Sequence, residues 1–332
     1  MLSRVADSVY WMARYIERAE NVARYVDVSL QMALDTPGGI GQQWKSLVAA
    51  AGDEKFFAEK YGEVPHDEDA ARNSILHFLT FDANYPNSIF SCVTRARENA
   101  RVVKGSLALE TWEHLNKFYH LLASAEARQR AVESPHDFFS EVRQASYLFE
   151  GIVESTLSRG EEWHFLNLGR HLERANQTSR ILDVKYFILL PDAADVGSVV
   201  DDLLWAALLH SVSGYEMFRR RHGRILPEKV VDFLVLDREF PRAILFCLLR
   251  AEESLFALSG TPLGSFRNQA ERRLSRLRAT LAYSNVEEII AKGLHEFLDD
   301  LQTGMNSVGE GIFESFFALD SPSIAQAQQS SQ

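Results

Sequence analysis

The stretches "RYIERAENVARYVDV" (14–28) and "RHLERANQTSRILDV" (170–184) decide how this chain reads. Laid over one another, they match Arg14, Glu17, Arg18, Ala19, Arg24, Asp27 and Val28 to Arg170, Glu173, Arg174, Ala175, Arg180, Asp183 and Val184. Seven identities in fifteen positions are far more than chance supplies. Three further matches follow in the same order. "WKSLVAAAGDEKFFAEKYG" (44–62) lies over "WAALLHSVSGYEMFRRRHG" (205–223), and "FDANYPNSIFSCVTRARE" (81–98) over "LDREFPRAILFCLLRAEE" (236–253). Last, "EGIVES" (150–155) lies over "EGIFES" (310–315). The offset stays within 155–161 residues, so the chain reads as a tandem duplication. That period is too long for a solenoid, whose repeats run to roughly 20–50 residues.

Local pattern says what is duplicated. Val5, Val9, Met12, Ile16, Ala19, Ala23, Val26 and Leu30 recur at i, i+3/i+4, the stripe of an amphipathic helix. Ser3 suits its N-cap, and "TPGG" (36–39) suits its end. With nine prolines in 332 residues and little period-two alternation, the expected class is all-α. The expected architecture is a tandem-duplicated bundle of about five or six helices per half in pseudo-twofold relation. Residues 1–160 form the first helical repeat and 161–319 the second, in one continuous globule, since "SRGEE" (158–162) lacks linker composition. The Gln/Ser-rich 320–332 reads as a flexible tail.

Composition narrows the function classes. A formal charge of −11 argues against nucleic acid and anionic membrane surfaces as partners. Two distant cysteines, Cys92 and Cys247, make no disulfide framework, and the expected compartment is the cytoplasm. "MLSRVADSVYW" lacks a signal-peptide core, and "FILLP" and "AILFCLL" fall far short of the ~20 apolar residues of a membrane helix. Both cysteines sit in apolar surroundings and read as buried small hydrophobes. No metal is expected: of three Glu-x-x-His sets, Glu63/His66 and Glu133/His136 carry a proline before the histidine, leaving Glu161/His164 alone. Phosphate-binding loops and a nucleophile elbow are missing as well.

The polar face of the first helix is the candidate site. Tyr10, Arg14, Glu17, Asn21 and Arg24 fall opposite the apolar stripe, with Arg18 at the edge. Arg170, Glu173, Arg174 and Arg180 repeat it. Adjacent Glu17 and Arg18 point about 100° apart and cannot pair with each other, so partners must come from other helices or a ligand. Asp82 and Asp237, each four residues before a proline that reads as a helix start, are candidate partners, as are Glu98 and Glu253. Three readings stand: a solvated face, a buried Arg–Glu network between the halves, and a site for a carboxylate or phosphate. No catalytic residue is assigned.

The four motifs "YWMARYIERAENVAR", "FLNLGRHLERANQTSRILD", "LDREFPRAILFCL" and the uniformly helical pattern resemble the bacterial Alpha-E family, over residues 1–319. The family's Glu-Arg motif falls on Glu17-Arg18 and Glu173-Arg174. The resemblance implies partnership with a separate circularly permuted ATP-grasp protein and with transglutaminase-like proteins. It further implies an accessory or co-catalytic role in peptide or amide ligation, with ATP and Mg implied through the partner ligase and no intrinsic cofactor. Two alternatives remain open. One is a stand-alone enzyme acting on an amide or acyl-phosphate with Glu17 or Glu173 as acid/base, and the other a purely structural scaffold.

Overall fold

The computed structural model of the chain describes residues 1–35, 47–49, 51, 53–65, 67–188, 199–262 and 264–318. Trp44, "TPGG" and the proposed tail lie outside them. Every regular element among the described residues is helical. In the first half these are α1 (Ser3–Asp35), α2 (Glu54–Tyr61), α3 (Glu68–Phe81), α4 (Ile89–Val102), α5 (Leu109–Ala123), α6 (Ala127–Glu133) and α7 (Pro135–Thr156). In the second they are α8 (Glu161–Ile188), α9 (Val199–Ser211), α10 (Tyr215–His222), α11 (Pro227–Val235) and α12 (Ile244–Ser259), then α13 (Gln269–Ala282), α14 (Val286–Lys292) and α15 (Leu294–Ile312). A π-helical turn, Phe313–Phe317, continues α15. The all-α expectation holds. The helices of each half outnumber the expected five or six, because pieces of seven or eight residues such as α2, α6 and α14 span too few turns to show a periodic stripe.

Local chemistry sets several of the boundaries. The Asp67, Ser88 and Asn268 side chains accept the first free amides of α3, α4 and α13. Asn285 and Glu288 close a reciprocal capping box on α14. Pro86 and Pro241 do not begin helices; they sit in the turns before α4 and α12, which start three residues later.

Two long helices organise the rest. α1 packs against α8, α4 and α7, while α8 packs against α1, α12 and α15. Buried side chains from Ala6 to Phe317 join into one connected core running across both halves. This is why α1 and α8 are buried on nearly all sides, polar residues included. Among the described residues, no helix is long and apolar enough to cross a membrane.

Candidate functional site

The site lies where α1 crosses α8. The helices meet so closely at Gly169 that a Cβ there would lie 2.4 Å from the backbone oxygen of Tyr10, so only glycine fits. One turn further along α8 and two turns further along α1, the two Glu-Arg pairs meet across the crossing. Arg18 grips Glu173 with a two-bond fork, Nε to Oε1 at 2.7 Å and an Nη2 bond to Oε2 at 3.0 Å. Arg174 grips Glu17 in the same way, at 2.9 and 2.7 Å. The exchange is reciprocal. A residue four positions on completes each carboxylate: Asn21 donates to Glu17 at 2.9 Å and Gln177 to Glu173 at 2.8 Å. Arg14 Nε adds a third guanidinium bond to Glu173, at 2.8 Å.

Burial alone would raise both carboxyl pKa values. The Arg18 and Arg14 guanidiniums outweigh it at Glu173, and Arg174 with Arg242 does so at Glu17, holding both groups well below the usual carboxylate range. Glu173 is 1% exposed and Glu17 5%, so the solvated-face reading falls.

The two sides of the crossing then diverge. Extending the sequence overlay, Glu20 matches Asn176 and Arg242 matches Asn87. On the Glu17 side, Arg242 donates to Glu17 at 3.1 Å and Asn21 at 3.2 Å, and pairs with Glu20 at 2.8 Å. Arg24 is enclosed by Glu20, Ser213 and Tyr147. Arg170 turns away to Glu150 at 2.5 Å and Glu154 at 3.3 Å. The space left is about 20 Å³, room for little more than a water. This side is a closed ionic network.

On the Glu173 side the matched positions carry neutral amides, and the space opens to about 140 Å³. Arg14, Arg18, Arg180, Asn176, Asn306 and Tyr85 are among its walls. Asn87 accepts from Arg18 at 2.5 Å and donates to Asp53 at 2.8 Å, which Tyr85 also reaches at 2.8 Å. Arg180 bonds only neutral groups, the Asn176 side chain at 2.8 Å and the Ala51 carbonyl at 3.1 Å. Among the described residues no carboxylate pairs with Arg180, and the Nη2 groups of Arg180 and Arg14 carry no hydrogen bond. Among the described residues the cleft thus sets three guanidiniums, Arg14, Arg18 and Arg180, against Glu173 and the adjoining Asp53, a net of one positive charge.

Eight of the residues expected at the site (Arg14, Glu17, Arg18, Asn21, Arg24, Glu173, Arg174 and Arg180) converge on the crossing, with Arg170 at its edge. Asp82 and Asp237 do not. Asp82 binds Lys60 at 2.6 Å and Tyr61 at 2.9 Å, and caps the Asn84 amide at 2.9 Å. Asp237 pairs with Arg221 and caps the amides of Glu239 and Phe240 at 2.7 and 2.6 Å. Each aspartate ties its turn to the short helix two elements earlier, α2 for Asp82 and α10 for Asp237, which takes it away from the Glu-Arg motif. Glu98 and Glu253 likewise pair with Arg101 and Arg250 of their own helices. Cys92 and Cys247 are fully buried, and burial pushes both thiols up to about 12, far from a nucleophile's range. Sequence reasoning missed Arg242, Glu20, Asn87 and Asn176. Their signal was a charged residue facing a neutral one within otherwise matched stretches.

An all-helical chain whose centre is a pair of long helices exchanging Glu-Arg forks is the class that fold and site define. Alpha-E, described as a predicted alpha-helical domain with a conserved ER motif, matches residues 1–317, and the chain belongs to this family. Uncharacterized proteins of Mycobacterium bovis and Mycobacterium tuberculosis CDC 1551 are each 24% identical over 325 residues, 92% of this chain and 35% of theirs. A third, from Mycobacterium tuberculosis H37Rv, is 23% identical over the same shares. The chain therefore spans about a third of the length of the curated relatives it matches. No solved structure matches.

Proposed function

We propose that this chain is the accessory or co-catalytic helical member of an ATP-grasp-dependent peptide or amide ligation system, and that its Glu173-side cleft holds a carboxylate or phosphate group. The observation that carries the binding role is Arg180. It is a half-buried guanidinium with no carboxylate partner among the described residues, and it shares with Arg14 the walls of a cavity of about 140 Å³. A guanidinium held there without an anion costs stability that a bound anion restores. The ligation context rests on the family resemblance. It is supported by the length of the relatives, in which the matching region adjoins nearly twice its own length of other sequence. ATP and Mg belong to the partner in this proposal. The two halves descend from a duplication in pseudo-twofold relation, a reading supported by the reciprocal Glu-Arg forks and by matched Asp27–His136 and Asp183–His295 pairs.

A stand-alone enzyme using Glu17 or Glu173 as acid/base fits less well. Groups held far below the ordinary carboxylate range have little proton affinity near neutrality. The test is product analysis of the chain and its ATP-grasp protein together, with ATP and candidate amino acids, against each alone. The expected result is a ligated product that needs both proteins and is lost with Arg180→Gln. Equal product without this chain, or with the variant, sinks the proposal.

A further inference from the structure

The anion cleft does not end at Arg14. A second cavity of about 330 Å³ adjoins it and shares Arg14, Asn176 and Asn306 as walls. Its volume alone falls within the range of small-molecule sites, roughly 300–1,000 Å³. Its remaining surface is of a different character. Trp11, Leu172, Met305, Phe313 and Phe317 line it, and Tyr10 closes the floor. The Arg14 guanidinium at the junction lies over the Trp11 ring at 4.8 Å and the Tyr10 ring at 5.5 Å, and both contacts hold it in place. Glu310 is the acidic residue among these walls, and Arg273 approaches it at 3.7 Å. The π-helical turn after α15 carries Phe313, which is 57% exposed on the cavity's edge. A large aromatic side chain left uncovered beside an apolar cavity is surface that a ligand can bury.

Resting on the anion-binding reading above, we infer that the ligand is a monocarboxylate bearing a large apolar group. In chemical terms it is an N-acylated aromatic or branched amino acid, free or as the C-terminal residue of a peptide. The carboxylate meets Arg180 and Arg14, and the apolar group fills the Trp11–Phe313 cavity. Asn176 and Asn306, between the two ends, can donate to and accept from the ligand's amide. The net of one positive charge matches a carboxylate and leaves a phosphate dianion undercompensated.

Calorimetric titration of the full chain tests this with N-acetylphenylalanine, N-acetylglycine, N-acetylphenylalanine amide, phenyl phosphate and the tetrapeptide Ala-Ala-Ala-Phe. N-acetylphenylalanine should bind at least about tenfold more tightly than N-acetylglycine, in line with the discrimination an apolar pocket provides. The amide should not bind, and Arg180→Gln should abolish binding of every acid. Phe313→Ser, at an exposed position, should bring N-acetylphenylalanine down to the N-acetylglycine level while leaving the latter unchanged. Should that variant misfold, a series of N-acetylated Ala, Val, Leu and Phe on the unaltered chain gives the same reading through rising affinity. Tetrapeptide binding identifies the source as a peptide end, and its exclusion identifies the free acid; both carry the inference. Arg180-dependent binding with no preference for the apolar acid overturns the inference and leaves the anion reading standing. A preference for phenyl phosphate overturns the carboxylate assignment. No Arg180-dependent binding of any probe overturns the anion reading itself.

Discussion

Glu173 and Arg180 lie two turns apart on α8, with opposite electrostatic situations. Glu173 is buried and gripped by two half-buried guanidiniums and a buried amide. Glu173→Gln keeps the shape but strands Arg14 and Arg18, and breaking a buried pair in this way costs roughly 3–5 kcal/mol. Denaturant unfolding should show that loss. Among the described residues Arg180 has neutral partners only, so Arg180→Gln should change stability by less than about 1 kcal/mol, or raise it, while anion binding disappears. Equal destabilisation by both variants would make Arg180 a structural residue and remove the case for a site. At this scale the sequence was informative about the charges and about Asn21, and silent about the amides that leave the cleft open. The Glu-Arg motif stood out because it occurs twice. Asn87 and Asn176 belong to no motif, and their importance lies in what they fail to fill.

The elements were legible in proportion to their length. α1, with many turns, displays its periodicity openly, and α8 is legible through its match to α1, whereas the 7-residue α6 and α14 do not show theirs. Which helices cross was hidden, because Arg18 and Glu173 are 155 residues apart and nothing local encodes that meeting. Two glycines separate the contribution of the crossing from that of the helices. At Gly169 an added Cβ meets the backbone of α1, which cannot rotate aside, so Gly169→Ala must push α1 and α8 apart. Overpacking of this kind costs about 1–3 kcal/mol and should disturb the Glu-Arg forks with it. Gly151, on the exposed face of α7, has nothing within 4 Å of its built Cβ. Gly151→Ala should therefore stabilise by about 0.5–1 kcal/mol through helix propensity. Melting curves of the two variants should move in opposite directions. Two shifts of the same sign would mean that the crossing is looser than described.

Across the whole molecule, the matched ties between helices give stability a pH profile with an edge on each side. Glu17 and Glu173 are depressed in the folded state, so their contribution is present above their unfolded value near 4.5 and drains away as pH falls toward the folded pKa values. His295 is raised, chiefly by its hydrogen bond to Asp183. Its contribution is therefore full below 6.5 and is lost as pH climbs through the folded pKa. Unfolding measured from pH 3 to 9 should show a steep acid limb that Glu173→Gln flattens, and a shallow alkaline decline that His295→Gln removes. The likeness of the two sides of the crossing makes the difference in their closure testable. The Glu17 side is closed by Arg242 and Glu20, the Glu173 side open because Asn87 and Asn176 replace them. Asn87→Arg combined with Asn176→Glu should rebuild the closing pair in the open cleft, where Arg180 gains a carboxylate four residues before it. That variant should fold at least as well as the natural chain and bind no anion. Glu20→Asn with Arg242→Asn should do the reverse, leaving Arg24 without its carboxylate and raising the stoichiometry of anion binding from one to two. Calorimetry of both double variants reads this directly: if closing the Glu173 side leaves binding intact, the asymmetry of the crossing is ornamental and the ligand sits elsewhere.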